Sequence, residues 1–200
     1  MAESASSLRR RIQLLRKSLI SEERLRTQRL LDIQFLKLLK SALSPSAGQC
    51  WGMYRSLPWE WALPVSTRFL QERGVALAYP RMRDPFDRTQ GMSWHLADES
   101  IGEHWVSSAS VKELLEPCSA LPEIDPAHMV SVWVPGVAFS EKGERMGTGG
   151  GFYDFFLSQY PYLNRVAAAA EFQLFAELPE QRPDEPRMSF LVTEQRLLSF

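Results

Sequence analysis

The stretch MVSVWVPGVAFSEKGERMGTGGGFYDFFLSQ, residues 129–159, decides how this chain is read. It opens with an apolar run from Met129 to Val134, broken only by Ser131, of the kind that forms a strand covered on both faces. It closes with Phe152 to Gln159, which reads as a helix. Between them lie six of the chain's eleven glycines, from Gly136 to Gly151, more than a loop that merely turns requires. Gly147, Gly149, Gly150 and Gly151 can adopt positive φ and present backbone N–H groups with no Cβ in the way, while the helix starting near Phe152 adds its N-terminal donors. The segment RMGTGGGFYD, Arg145 to Asp154, is therefore expected to be an anion cradle at the carboxyl end of the preceding strand, where ligands bind in open α/β sheets. Arg145 at its entrance can neutralise phosphate oxygens, and Asp154 in the first helical turn can accept Mg²⁺ or a water bound to it. No GK[ST] triplet is present, so this is no P-loop, and GTGGG lacks the spacing of the dinucleotide fingerprint. The plainer alternative is a flexible glycine turn leading into a helix with a capping Asp.

Working outward, apolar residues recur at three- and four-residue steps from Leu8 to Leu43, and Ser21 followed by Glu22 and Glu23 divides the stretch into two helices. Cys50 to Tyr54 reads as a short strand. Pro64 near the start and Gly74 just past the end bound a further helix. Val75 to Tyr79, Met92 to Leu96, Val166 to Ala170 and Phe190 to Thr193 read as strands, and Ala97 to His128 is irregular. Strands alternating with helices predict a Rossmann-like, three-layer α/β/α fold with a mainly parallel sheet. The 200 residues are expected to form one domain, with the helical segment 1–43 packed on it.

Composition excludes several classes. Hydrophobic residues at 44% and charged residues at 24% are those of a globular chain, and the 23 basic and 24 acidic side chains leave a net charge of -1, against a nucleic-acid binder. Cys50 and Cys118 fit neither a disulfide scaffold nor a zinc pattern. No stretch reaches the roughly 20 apolar residues of a membrane span, so a cytoplasmic, monomeric protein without nucleic-acid or membrane partners is expected.

The run VPGVAFSEKGERMGTGGGFYDFFL, Val134 to Leu157, resembles the signature of the 5-formyltetrahydrofolate cyclo-ligases, or methenyltetrahydrofolate synthetases. Pro135, Gly136, Ala138, Phe139, Gly143, Arg145, Gly147, Gly149, Gly151, Tyr153 and Asp154 fit that family's pattern. An arginine-rich first helix followed by SEER, the VALAYPR strand and a terminal VTE recur in similar order, so the likeness covers most of the chain. It implies an ATP- and Mg²⁺-dependent cyclisation of 5-formyltetrahydrofolate to 5,10-methenyltetrahydrofolate through a phosphorylated formyl oxygen, with ADP and phosphate released. It implies ATP contacts from Arg9, Arg145, Gly147, Thr148, Gly149, Gly150, Gly151, Phe152 and Tyr153, with Arg145 and Tyr153 catalytic. Folate contacts would come from Glu60 and from Thr148 to Phe152, and metal contacts from Asp154 and Glu185.

The chain also departs from the family. A lysine ahead of the first-helix arginine is Ala5, leaving Arg10, Arg11 or Lys17 as cations that could take over. The Asp after AF is Ser140, GI-x-EP survives as Glu116-Pro117, a late Asp is Glu185 beside Asp184, and Thr148 stands where a basic or aromatic residue is common. A diverged relative that binds folate or nucleotide without turnover is the alternative. On composition, Arg9 to Arg11 and Arg16 form a solvated helix face. Trp133 belongs to the core, Trp59 or Trp61 beside Glu60 can touch a ligand, and the three histidines are assigned to neither metal nor catalysis. Asp154→Ala is expected to cost turnover far more than folding.

Overall fold

The computed structural model describes residues 3–109, 111–180, 182 and 184–200. Helices α1 (Ala5–Ser18) and α2 (Ser21–Leu38) lead, the second ending in one π-helical turn over Leu39–Leu43. Strand β1 (Cys50–Gly52), helix α3 (Pro64–Glu72) and strands β2 (Ala76–Met82) and β3 (Met92–Leu96) follow. The irregular stretch holds three short strands, β4 (Trp105–Ser107), β5 (Leu115–Pro117) and β6 (Glu123–Ile124). Then come β7 (Met129–Trp133), a hairpin of β8 (Ala138–Ser140) and β9 (Arg145–Met146), and helix α4 (Phe152–Gln159). Strands β10 (Asn164–Ala168), β11 (Leu174–Phe175), β12 (Phe190–Val192) and β13 (Leu197–Ser199) complete the chain.

Eight strands form one sheet in the order β13-β12-β10-β7-β1-β2-β3-β6. The central five, β12 to β2, run parallel, β13 and β3 run antiparallel to them, and β6 pairs antiparallel with β3 at the edge. The apolar strands are buried on both faces, and alternate side chains go to opposite cores. Leu77, Tyr79, Val166 and Ala168 pack with Leu31, Phe35 and Leu38 of α2 and Leu70 of α3, whereas Ala78 and Ala167 pack with Phe156 and Leu157 of α4. The result is a mixed α/β fold on a large, mainly parallel sheet, as the alternation of elements predicts. The start of α3 is secured from outside: the Asp32 carboxylate of α2 accepts the Val65 and Ser66 backbone N–H groups, both at 2.8 Å. Among the described residues no helix is long and apolar enough to cross a membrane.

Three readings need correction. The glycine segment does not follow the buried strand directly, because β8 intervenes and the segment itself opens as β9, the hairpin partner of β8. Ser140, fully buried, holds their turn by donating to Glu144 at 2.7 Å while accepting the Lys142 and Glu144 N–H groups at 3.2 Å each. Strands this short carry no period to read. Second, the helical row read from Leu8 through Ile12, Leu15 and Leu19, and on through Leu25, Leu31, Phe35, Leu38 and Leu39, is not buried throughout: Leu15 and Leu25 are 42% and 51% exposed. Third, α1 buries Ala5, Leu8, Ile12 and Arg16, so an arginine occupies the stripe expected to be apolar. That stripe packs on Val137, Ala138 and Met146, which fastens the first helix to the hairpin that delivers the glycine segment.

Candidate functional site

The strand β1 lies between β2 and β7, so the chain leaves it toward one side of the sheet and later builds the other side. The carboxyl ends of such a switch point leave a crevice. A cavity of about 440 Å³ opens there. Tyr54 and Arg55 enter it beyond β1, Pro80 and Met82 from the end of β2, and Pro135 and Gly136 beyond β7. Helix α1 adds Gln13, Arg16 and Lys17, the loop after β1 adds Trp59 and Glu60, and the β4–β5 ribbon adds Trp105, Leu115 and Glu116. Arg145, Gly147, Thr148, Phe152 and Tyr153 close it from the glycine segment and the start of α4.

Arg145 is 7% exposed, donates Nη1–H to the Pro135 carbonyl at 3.0 Å and pairs through Nη2 with Asp154. A Cβ at Gly147 would stand 2.8 Å from Arg145 Nη1, so a side chain there would have to displace the end of that guanidinium. Positive φ occurs only at Gly149 (111°) and Gly151 (71°) within the segment, so the expectation of positive φ at Gly147 and Gly150 is not met. Arg9 lies outside the cavity wall and holds the loop from behind, Nε–H to the Gly147 carbonyl at 2.9 Å. Thr148, Gly149 and Gly150 are exposed at the rim.

Glu60 accepts the Leu57 N–H at 3.0 Å. Burial pushes its carboxyl above the usual range, with the Leu57 hydrogen bond and the Arg16 charge pulling the other way. Tyr153 is pushed up by burial and by the Glu60 charge, with Arg145 opposing, and its hydroxyl is buried without a hydrogen-bond partner. Apolar and aromatic surface completes the enclosure. Lys17 Nζ lies 4.1 Å from the centre of the Trp59 ring, and the Arg55 guanidinium 4.4 Å from that of Trp105. Trp61 is buried in the core, bonded through Nε1–H to Gln173, so Trp59 is the member of the pair that faces the cavity. Trp133 is core, as expected.

Asp154 and Glu185 do share a place, a cleft of about 140 Å³ also bordered by Gly151, Asp184, Arg88 and Arg182. Glu185 pairs with Arg182 there at 2.9 Å, and Asp154 with Arg145. Among the described residues no group of three or more His, Cys, Asp or Glu could hold a metal by itself. The donor set suits Mg²⁺ nonetheless, because that ion commonly takes one or two carboxylates and completes its shell with water and phosphate oxygens.

The structure thus brings Glu60, Arg145, Gly147, Thr148, Phe152 and Tyr153 to one cavity, and Asp154, Gly151 and Glu185 to the cleft. Of the three cations offered in place of a lysine at Ala5, Lys17 alone reaches the cavity; Arg10 is exposed and Arg11 is paired with Glu3. Ala5 itself sits in the apolar contact with Val137 and Met146. Arg16, assigned to a solvated face, is 2% exposed and lines the cavity, and Glu116, 6% exposed, does so from β5. The signal for Arg16 was available: it continues the 5–8–12 stripe by one further turn. Nothing in the short strand β5 marked Glu116 as buried.

A model of the 5-formyltetrahydrofolate cyclo-ligase family matches residues 1–194. The fold is similar to that of an Aquifex aeolicus 5,10-methenyltetrahydrofolate synthetase solved by NMR, with TM-score 0.75 and 23% identity over 98% of this chain and 92% of that one. It is also similar to a Mycoplasma pneumoniae 5,10-methenyltetrahydrofolate synthetase, with TM-score 0.72 and 16% identity over 96% and 99%. No curated protein matches the sequence.

Proposed function

The chain belongs to the 5-formyltetrahydrofolate cyclo-ligase family and is a cyclo-ligase enzyme, and on that premise we propose that it closes 5-formyltetrahydrofolate to 5,10-methenyltetrahydrofolate at the expense of ATP and with Mg²⁺. A formamide carbonyl is a poor electrophile. Transfer of the γ-phosphoryl group to the formyl oxygen, with ADP leaving, makes the formyl carbon electrophilic. N10 then attacks it, the C–O bond breaks with release of phosphate, and N10 loses its proton. Catalysis of this kind is positioning and charge stabilisation.

The observation that carries the reading is the single cavity at the switch point, which joins a phosphate-type wall to a wall suited to a flat heterocycle. Glu60 accepts hydrogen bonds from the pterin amino and ring N–H groups, with Trp59 alongside the ring system. Arg145 and the backbone N–H groups from Gly147 to Phe152 hold phosphate oxygens, with Arg9 bracing the loop from its far side. Tyr153, its hydroxyl unpaired between Glu60 and Arg145, lines the reacting centre. Asp154 and Glu185 are the carboxylates that would hold Mg²⁺, which would supply charge neutralisation on the nucleotide phosphates. Free thiols at Cys50 and Cys118 accord with a reducing cytoplasm.

Purified protein supplied with Mg·ATP and 5-formyltetrahydrofolate is expected to form the methenyl chromophore together with one phosphate per turnover. Absence of both products sinks the activity. Folate binding without turnover would instead mark a relative that has kept the pocket alone.

A further inference from the structure

Arg16 is a buried cation whose donors are largely unused. A guanidinium carries five N–H donors. In this chain Arg16 spends one, Nη1–H to the Gly136 carbonyl at 3.2 Å, and its Nε is buried with no partner. The other cations of the cavity are engaged. Arg145 holds Asp154 and Pro135, Arg55 donates to the Glu99 carbonyl over Trp105, and Lys17 lies on the Trp59 ring. A buried polar group left unmatched is costly, and one that borders a cavity is placed for a ligand to match; Arg145 Nε on the same cavity is likewise unpartnered, but its two terminal nitrogens are both engaged. Arg16 and Glu60 line one cavity and feel each other's charge without forming an ion pair. Two opposite charges held apart in one pocket leave room for a group that offers donors to one and an acceptor to the other.

We propose that Arg16 is a specificity-determining residue that donates to the 4-oxo carbonyl of the pterin while Glu60 accepts from the neighbouring N–H groups. This rests on the folate reading of the cavity. The lactam edge of a pterin places its carbonyl oxygen directly beside a ring N–H, so a carboxylate that reads the N–H donors cannot satisfy the oxygen. A guanidinium on the facing wall can. Helix α1 fixes Arg16 there because Ala5, Leu8 and Ile12 seat the helix on the β8–β9 hairpin, and Gly136 anchors the guanidinium itself.

The test compares binding of 5-formyltetrahydrofolate with that of its 4-amino-4-deoxy counterpart, in which the acceptor oxygen is replaced by a donor. Calorimetry without ATP measures both affinities on the full chain, for wild type, Arg16→Met, Arg16→Gln, Arg16→Lys and Tyr153→Phe. Arg16→Met is expected to reduce the 4-oxo to 4-amino affinity ratio by about tenfold or more, the loss of one charge-assisted hydrogen bond. Arg16→Lys, which keeps a charged donor, retains most of the ratio, and it carries the comparison with Arg16→Gln should Arg16→Met fail to fold. A smaller change in ratio, or an equal loss for both ligands, overturns the proposal, because a merely structural role weakens the two alike. So does a ratio that moves with Tyr153→Phe and not with Arg16. Wild-type protein that binds neither ligand overturns the folate reading itself, an outcome distinct from binding without discrimination.

Discussion

At the scale of single residues, the Arg145–Asp154 pair changes what a substitution should do. The sequence presents Asp154 as a carboxylate facing a ligand, with little to lose on folding if removed. In the fold it neutralises a guanidinium whose side chain is 4% exposed, while itself a third exposed. Asp154→Ala is therefore expected to cost about 1–3 kcal/mol as well as turnover, because it leaves Arg145 buried without its partner. Thermal melts of the free protein read this as a drop of several degrees, with Asp154→Asn in between; an unchanged melting temperature would return Asp154 to the purely ligand-facing role. The glycines also separate. Gly151 has φ 71° and its Cβ would come 2.5 Å from Arg88 Nη1, so Gly151→Ala should cost about 1–2 kcal/mol. Gly150, without positive φ and with only the Phe152 ring at 3.2 Å, should tolerate Ala within about 0.5 kcal/mol. Denaturant midpoints of the two variants decide whether they differ as stated.

At the scale of elements, α1 is the piece that joins the two halves of the site. Its buried stripe rests on the hairpin that leads into the glycine segment, and its Arg9 and Arg16 reach the Gly147 and Gly136 carbonyls. Ile12 is fully buried there whereas Leu14 is 59% exposed. Ile12→Ala should cost about 2–4 kcal/mol and raise the KM for ATP by loosening the loop, while Leu14→Ala should stay within about 0.5 kcal/mol. Equal effects from the two would mean that α1 does not seat as described. Periodicity made this helix legible but not which way its buried stripe leans, because Leu15 and Arg16 flank the Leu8–Ile12 row on opposite sides and the partner surface takes the Arg16 side. Helix α4 was read from Phe152 to Gln159 and forms over those residues, since a left-handed glycine at its start and its apolar content are local signals. The β8–β9 hairpin was not read. Its order comes from Ser140 and from pairing with the distant β11, neither of which a short window contains.

At the scale of the whole molecule, the cavity couples protonation to folding and to binding with opposite signs. Burial raises the Glu60 carboxyl above 4.5 in the fold, so its contribution to stability is complete below that value. As pH rises through the folded value, the unfolded chain ionises first and the contribution is lost. On the proposed function Glu60 binds the pterin in its ionised form, so affinity should rise across the same interval. Above about pH 4, wild type minus Glu60→Gln should show stability falling as folate affinity rises, measured by thermal melts and calorimetry; parallel trends would contradict it. Glu99, also raised by burial, contributes to stability with the same sign. The sequence by itself determined the α/β alternation, the parallel sheet and the family, because buried parallel strands are continuous apolar runs and the glycine-rich signature is written in consecutive residues. Only the tertiary structure decided which side chains meet in the cavity. Arg16 is buried, Asp154 is committed to Arg145, and Glu60 faces the glycine segment because the switch point between β1 and β7 gathers chain segments far apart in sequence, and burial is a property of what arrives from elsewhere.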